Sequence, residues 1–323
     1  MDYVLAVDLG GTKIYSALVG PGDVIVKRDV RPTEAALGIE KVIANILESI
    51  KTVSTAVRPQ EKILGVGIGA PGPLDPASGR IFFAPNLNWC DVNLKEILEK
   101  ELGLPVFMEN DANLAALGEY LYGAGKGYDD LVFITVSTGV GGGLIIKGEI
   151  YSGASGAAGE IGHMVVVPDG PLCSCGNRGC LEAVASGKAL KKRAQSLIAE
   201  GRCQKILELA GGDPDAVEAP MIAHAAHSGD SEARQLLAEA GRYLGLAIGN
   251  IANLLNPSIF IIGGGVARGA GDFLLEPARQ EAKRHVFPAF RESLRVVPGA
   301  LRGRAGVLGA AALAHKMVAS VHT

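Results

Sequence analysis

Apolar residues fall along this chain in two rhythms, short runs and a three-and-four spacing. Residues 4–7 form an apolar run closed by Asp8, Gly10 and Gly11, and residues 14–19 resume it before a Gly20, Pro21, Gly22, Asp23 turn. That pattern predicts a β-hairpin with a glycine-rich bend. From Ile39 the apolar positions Val42, Ile43, Ile46, Leu47, Ile50 and Val53 keep the spacing of an amphipathic helix. A strand is predicted over 63–68, then a Pro/Gly loop through Pro76, a helix over 94–102, a strand over 105–108, and a helix opening at Asp111 or Ala112. Strands that alternate with helices define an α/β chain.

At 131–136 an apolar strand runs into Ser137, Thr138 and Gly139, then three glycines, and out through 144–146. The opening pattern thus occurs twice, which predicts two similar halves, each presenting a phosphate-sized loop toward a common cleft. The segment 157–187 breaks the periodicity and holds three of the five cysteines, so it reads as an inserted loop stapled by a metal. Long helices are predicted over 181–199 and 232–255, the second ended by Asn256 and Pro257. A buried-type strand over 258–262 leads into Gly263, Gly264 and Gly265, and an Ala-rich helix over 305–318 follows.

Composition narrows the class. The 323 residues amount to two domains at roughly 100 to 200 residues each. Hydrophobic residues at 48% and charged residues at 20% exclude a disordered chain, and aromatics at 5% leave the core to Ala, Val, Ile and Leu. Lys and Arg number 31 against 34 Asp and Glu, a net charge of −3 without the basic excess of a nucleic-acid binder. The 44 glycines are clustered, which points to tight loops approaching a ligand. Asp2 stands where a signal peptide would be basic, and no long apolar stretch could span a membrane. A cytoplasmic protein is therefore expected, in a reducing compartment where clustered thiols bind metal more often than they form disulfides.

Four motifs carry candidate chemistry. In Asp8-Leu9-Gly10-Gly11-Thr12-Lys13 the glycines let backbone N–H groups approach a phosphate, and Asp8 is placed to hold a metal-bound water; an ordinary hairpin turn is the alternative. No Gly-Lys-[Ser/Thr] occurs, so there is no P-loop. Residues 67–72 match G-x-G-x-x-G, but Pro71, Pro73 and Pro76 stand where a dinucleotide-binding helix would grow, which leaves a pocket-shaping loop. Glu109-Asn110-Asp111-Ala112-Asn113 is more polar than one helix cap requires; Asp111 suits a general base and Asn110 a hydroxyl-binding partner. His163, Cys173, Cys175 and Cys180 fall within 18 residues and match a closed, structural Cys₃His zinc site, with Gly176 and Gly179 letting the chain double back. A reduced cysteine cluster without metal is the alternative. Cys90, Cys203 and the other five histidines have no ligand-like neighbours.

Taken together, these motifs, with 137–143, Gly159 to His163, Cys-x-Cys-Gly-x-x-Gly-Cys-x-Glu from Cys173 to Glu182, and 263–265, resemble the ROK family of sugar kinases and sugar-responsive repressors. The resemblance implies a two-domain actin-like ATPase (ribonuclease H-like) fold with a zinc-stapled insertion. Its smaller domain would span 1–112 with the helix 305–323, and its larger domain 113–304 with the zinc loop 159–182. It implies transfer of the γ-phosphoryl of ATP, with Mg²⁺, to the 6-hydroxyl of a hexose. Glucose is expected first, with mannose, N-acetylglucosamine, N-acetylmannosamine, allose and fructose as alternatives. Asp111 would be the base, and Asn110, Glu160, His163 and Glu182 would hold the sugar with it. Asp8, Gly10, Gly11, Thr12, Lys13, Thr138 and Gly139 would serve phosphate and Mg²⁺, and Gly264 and Gly265 the adenosine. His163, Cys173, Cys175 and Cys180 would bind one structural Zn²⁺. Residues 86–89 would border the sugar pocket, a surface turn with Trp89 packed underneath being the alternative, and hinges would lie near 112–115 and 301–305. A homodimer or homotetramer is implied, with neither nucleic acid nor membrane as partner. A repressor would need a DNA-binding domain ahead of the first hairpin, and a pure actin-like ATPase would not need the Glu160, His163, Glu182 group.

Overall fold

The first hairpin forms where the apolar runs place it. In the computed structural model, which describes residues 2–321, β1 (Asp2–Leu9) and β2 (Lys13–Val19) pair antiparallel from Val4↔Val19 to Leu9↔Ile14. β3 (Ile25–Pro32) continues the meander, α1 (Ile39–Ser54) follows, and β4 (Lys62–Ala70) returns parallel to β1. The expected loop through Pro76 instead contains the start of a small antiparallel sheet, β5 (Leu74–Asp75), β6 (Arg80–Ala84) and β7 (Trp89–Asn93). Then come α2 (Leu94–Leu102), β8 (Val106–Asn110), parallel to β4, and α3 (Asp111–Tyr122).

The second pass repeats this scheme with β9 (Leu131–Val136), β10 (Val140–Ile146) and β11 (Glu149–Ile150). The predicted helix over 181–199 is two helices, α4 (Leu181–Ala185) and α5 (Gly187–Ala199). Ser186 separates them because its backbone is extended and its hydroxyl accepts the Ala189 N–H as the α5 cap. There follow α6 (Gln204–Leu209), α7 (Ala219–His227), α8 (Ser231–Leu255), β12 (Ile259–Gly263), α9 (Gly265–Ala270), α10 (Asp272–His285), β13 (Val296–Pro298) and α11 (Ala305–Val321). Asp230 caps α8, and Asn256, in a left-handed conformation, ends it. The two large sheets share one strand order, β3-β2-β1-β4-β8 and β11-β10-β9-β12-β13. No helix among the described residues is long and apolar enough to cross a membrane.

The chain divides into two compact units. One takes the chain up to Gly127, Gly143–Ala158 and the segment from Arg304 on; the other takes Tyr128–Gly142 and Gly159–Gly303. Residues 113–127 and 143–158 thus cluster with the first unit, where the sequence reading draws its line after residue 112. In the first unit, Leu5, Val7 and Leu9 of β1 face a core shared with Val42, Ile46 and Ile50 of α1 and Leu94 and Leu98 of α2. Each such side chain contributes about 2 kcal/mol by leaving water. Val4 and Ala6 face the other way, onto Leu114 of α3 and Val307, Ala310, Ala311 and Ala314 of α11. Small residues let these elements touch backbone to backbone: a Cβ at Gly67 would collide with the Ala310 carbonyl. That contact explains the first glycine of the 67–72 pattern without any dinucleotide.

Candidate functional site

The first unit gathers its polar residues at the carboxyl ends of three parallel strands, where open α/β sheets bind ligands. Register places Asp8 opposite Gly69, Gly69 opposite Glu109, and Ala70 opposite Asn110. The period of two that buries Val4 and Ala6 sends Asp8 to the α11 side. There its carboxyl lies against the first turn of α11, and a Cβ at Gly306 would come within 2.7 Å of Oδ2. Burial pushes the Asp8 carboxyl up to about 6, and Lys13 pulls it back down. A half-buried carboxylate with one neighbouring cation suits a water shared with Mg²⁺.

Asn110 does the capping anticipated at this motif. Its Oδ1 accepts the Ala112 and Asn113 N–H groups at 2.9 and 3.2 Å, while its Nδ2 donates to the Gly72 carbonyl at 3.3 Å. Asp111 therefore stands at the first position of α3, half-buried, with Oδ1 accepting the Ala112 N–H at 2.8 Å. Sequence reasoning gave no role to Glu109, which is buried and accepts from the Asn110 N–H and the Asn113 Nδ2 at 2.8 and 3.0 Å. It holds the turn that presents Asp111. The Gly10–Lys13 bend is held by another unforeseen residue, fully buried Thr33, whose hydroxyl donates to the Gly10 carbonyl at 2.6 Å and whose N–H donates to the Thr12 carbonyl at 3.0 Å. Asn86 packs against Gly11, whereas Trp89 is 2% exposed within the core.

In the second unit, the bend between β9 and β10 carries Thr138 and Gly139. Gly187 N–H donates to the Ser137 carbonyl at 2.8 Å, and Lys188 N–H to the Thr138 carbonyl at 3.2 Å. β12 pairs with β9 so that Gly263 lies opposite Thr135. Gly264, at the start of α9, backs onto Val136, and Gly265 approaches the Ser137 hydroxyl. The second glycine bend and the Gly264-Gly265 turn thus share one edge.

The ligand atoms of His163, Cys173, Cys175 and Cys180 all lie within 4.8 Å of one another. Cys173 Sγ is 3.7 Å from His163 Nδ1, and Cys175 Sγ is 3.7 Å from Cys180 Sγ. Ligands at about 2.3 Å from a tetrahedral zinc would be about 3.8 Å apart, so this donor set fits the ion. Cys180 is pushed up to about 12 by burial and by its neighbouring thiols, whereas a backbone hydrogen bond involving Asn177 chiefly lowers Cys175. A bound cation removes such protons outright. With Nδ1 turned to the thiols, His163 Nε2 faces Glu160 Oε2 at 3.9 Å. Glu182 lies beside this loop, its Oε2 accepting the Val140 N–H at 3.0 Å and its Oε1 the Ser174 hydroxyl at 3.2 Å.

The predicted residues divide between the units, with Asp8, 10–13, Asn110 and Asp111 in the first and the remaining ones in the second. Two sheets of one strand order, each headed by a glycine-bent hairpin, constitute the α/β two-domain sugar kinase fold. The ROK family model matches residues 4–317, and the chain belongs to that family. It is 39% identical over 311 residues to a glucokinase of Thermotoga maritima, covering 96% of each chain. It is 32% identical to a xylose repressor of Caldicellulosiruptor bescii, covering 96% of this chain and 77% of the repressor. Its fold matches, at a TM-score of 0.87 and 38% identity, the crystal structure of a ROK family glucokinase from Streptomyces griseus in complex with glucose and AMPPNP, covering 97% of this chain and 99% of that one.

Proposed function

We propose that this chain phosphorylates glucose at its 6-hydroxyl with Mg·ATP. The observation that carries the reading is Asp111 at the head of α3, steadied by Asn110 and Glu109, in a chain similar end to end to a glucokinase holding glucose and an ATP analogue. Asp111 takes the proton from O6 as the bond from O6 to the γ-phosphorus forms and the bond to the departing ADP oxygen breaks. Positioning and charge stabilisation supply most of the rate in such transfers. The bends at Gly10, Gly11, Thr12 and Lys13 and at Thr138 and Gly139 turn backbone N–H groups and one ammonium to the phosphates. Gly264 and Gly265 leave room for the adenosine, and Asp8 would hold a hydrated Mg²⁺, which would neutralise phosphate charge.

Asn110, Glu160, His163 and Glu182 hold the ring hydroxyls. The Cys₃His spacing supports one structural zinc, which His163, Cys173, Cys175 and Cys180 would hold; it would supply no chemistry to the transfer, and His163, with Nδ1 turned to the thiols, would offer Nε2 to a hydroxyl. The same proposal takes the chain as a cytoplasmic homodimer or homotetramer. A sugar-binding regulator would share the fold, yet Asp111 and both glycine bends support turnover. ADP release measured with Mg·ATP and glucose, mannose, N-acetylglucosamine, N-acetylmannosamine, allose or fructose tests this. Dominance by glucose is expected; release without sugar, or with none of them, would return the chain to the ATPase or binding-only readings.

A further inference from the structure

Glu182 makes two hydrogen bonds that a sugar contact does not require. Val140, whose N–H it accepts, opens β10 directly after the Thr138-Gly139 bend, and Ser174, whose hydroxyl it accepts, stands between Cys173 and Cys175. The carboxylate reaches Val140 over Gly139, where a Cβ would collide with Oε2. Gly139 thus lacks a side chain for a reason separate from phosphate access. Gly187 and Lys188 hold the Ser137 and Thr138 carbonyls, and Glu182 is the acceptor that fixes the outgoing Val140 N–H of the bend. Two carboxylate oxygens offer about four acceptor directions, so these bonds leave room for a sugar hydroxyl.

We infer that Glu182 is a positioning residue for the nucleotide, strapping the 137–140 bend to the Cys/His loop through Ser174, so that order in that loop sets the N–H groups that meet the phosphates. The inference rests on the kinase reading above and adds a nucleotide role to a residue placed there only at the sugar. Sugar and nucleotide would then be coupled through one carboxylate.

Ser174→Ala cuts one end of the strap and leaves Glu182 and all four metal-binding side chains in place. Hydrogen–deuterium exchange without ligands reads the strap, and titration with a non-hydrolysable ATP analogue reads its consequence. Exchange over 137–142 should quicken and analogue affinity should fall roughly three- to tenfold, the worth of one such hydrogen bond. Zinc content should hold, and glucose affinity should fall less than nucleotide affinity. Ser174→Thr, which keeps the hydroxyl, should restore both readouts. Should Ser174→Ala lose zinc, both readouts are repeated with the variant saturated in zinc, where the same pattern should appear. Unchanged exchange over 137–142, or quicker exchange with unchanged analogue affinity, overturns the inference. If the unmutated chain binds no nucleotide, the kinase reading falls and the nucleotide role falls with it, while the exchange comparison still decides whether the strap exists.

Discussion

Asp8→Asn should stabilise the folded protein at neutral pH while removing most of its turnover. The Asp8 carboxyl is pushed up to about 6 from an ordinary 3.8, chiefly by burial, with Lys13 opposing. A difference of about 2 pH units corresponds to about 3 kcal/mol, which partial exposure of the side chain trims to about 2 kcal/mol. Because the folded value is the higher one, the folded state holds a proton that the unfolded chain has released between about pH 4 and 6. The cost of burying the charge is therefore complete above about pH 6 and vanishes below about pH 4. Asn fills the same space beside Gly306 without the charge. Thermal unfolding should thus rise by about 4 °C near pH 7.5 and hardly at all near pH 4. Excess Mg²⁺ should narrow the gap by stabilising the parent alone. An Asn variant no more stable than the parent at pH 7.5, or equally stabilised at both pH values, would refute the reasoning.

Gly306→Ala should crowd the same carboxyl from the other side, lowering kcat more than it raises the KM for glucose and costing about 1 to 3 kcal/mol of stability as an overpacked contact; steady-state kinetics and a denaturant titration check both. Elemental analysis should find one zinc per chain, and chelation or Cys175→Ala should remove it and weaken sugar binding more than nucleotide binding in paired titrations. Zinc uptake should also release protons, since the Cys180 thiol stands pushed up to about 12 without the ion; a pH-stat titration that records none would count against the site.

Much of the first unit could be read along the chain because its elements carry clean apolar patterns, a continuous run in β1 and one stripe in α1. The apolar run of β1, buried on both faces, and the three-and-four spacing of α1 survive folding intact, and they meet in one core through Leu5, Val7 and Leu9. The strands β5 to β7 did not show, since they are short, turns with Pro and Gly surround them, and their order comes from pairing with one another. Nor did the break between α4 and α5, where apolar spacing continues through Ser186 and only the cap geometry ends the helix. At the candidate site, Asp8, Asp111 and the three clustered cysteines stand out along the chain because their types are unusual for their positions, and their roles remain the proposal made above. Thr33, Ser174 and Gly306 were not, because each acts on a partner brought to it by the fold: the Gly10 carbonyl, the Glu182 carboxylate and the Asp8 carboxyl.

The central claim is that Asp111 drives transfer to the 6-hydroxyl of glucose. Its most direct measurement is formation of glucose 6-phosphate from glucose and Mg·ATP, followed with a dehydrogenase specific for that product, in the parent chain and in Asp111→Asn. The account predicts one product per ADP in the parent and a rate lowered by about 10²- to 10⁴-fold in a variant that still binds glucose. ADP formed without glucose 6-phosphate, or an undiminished rate in the variant, would contradict it.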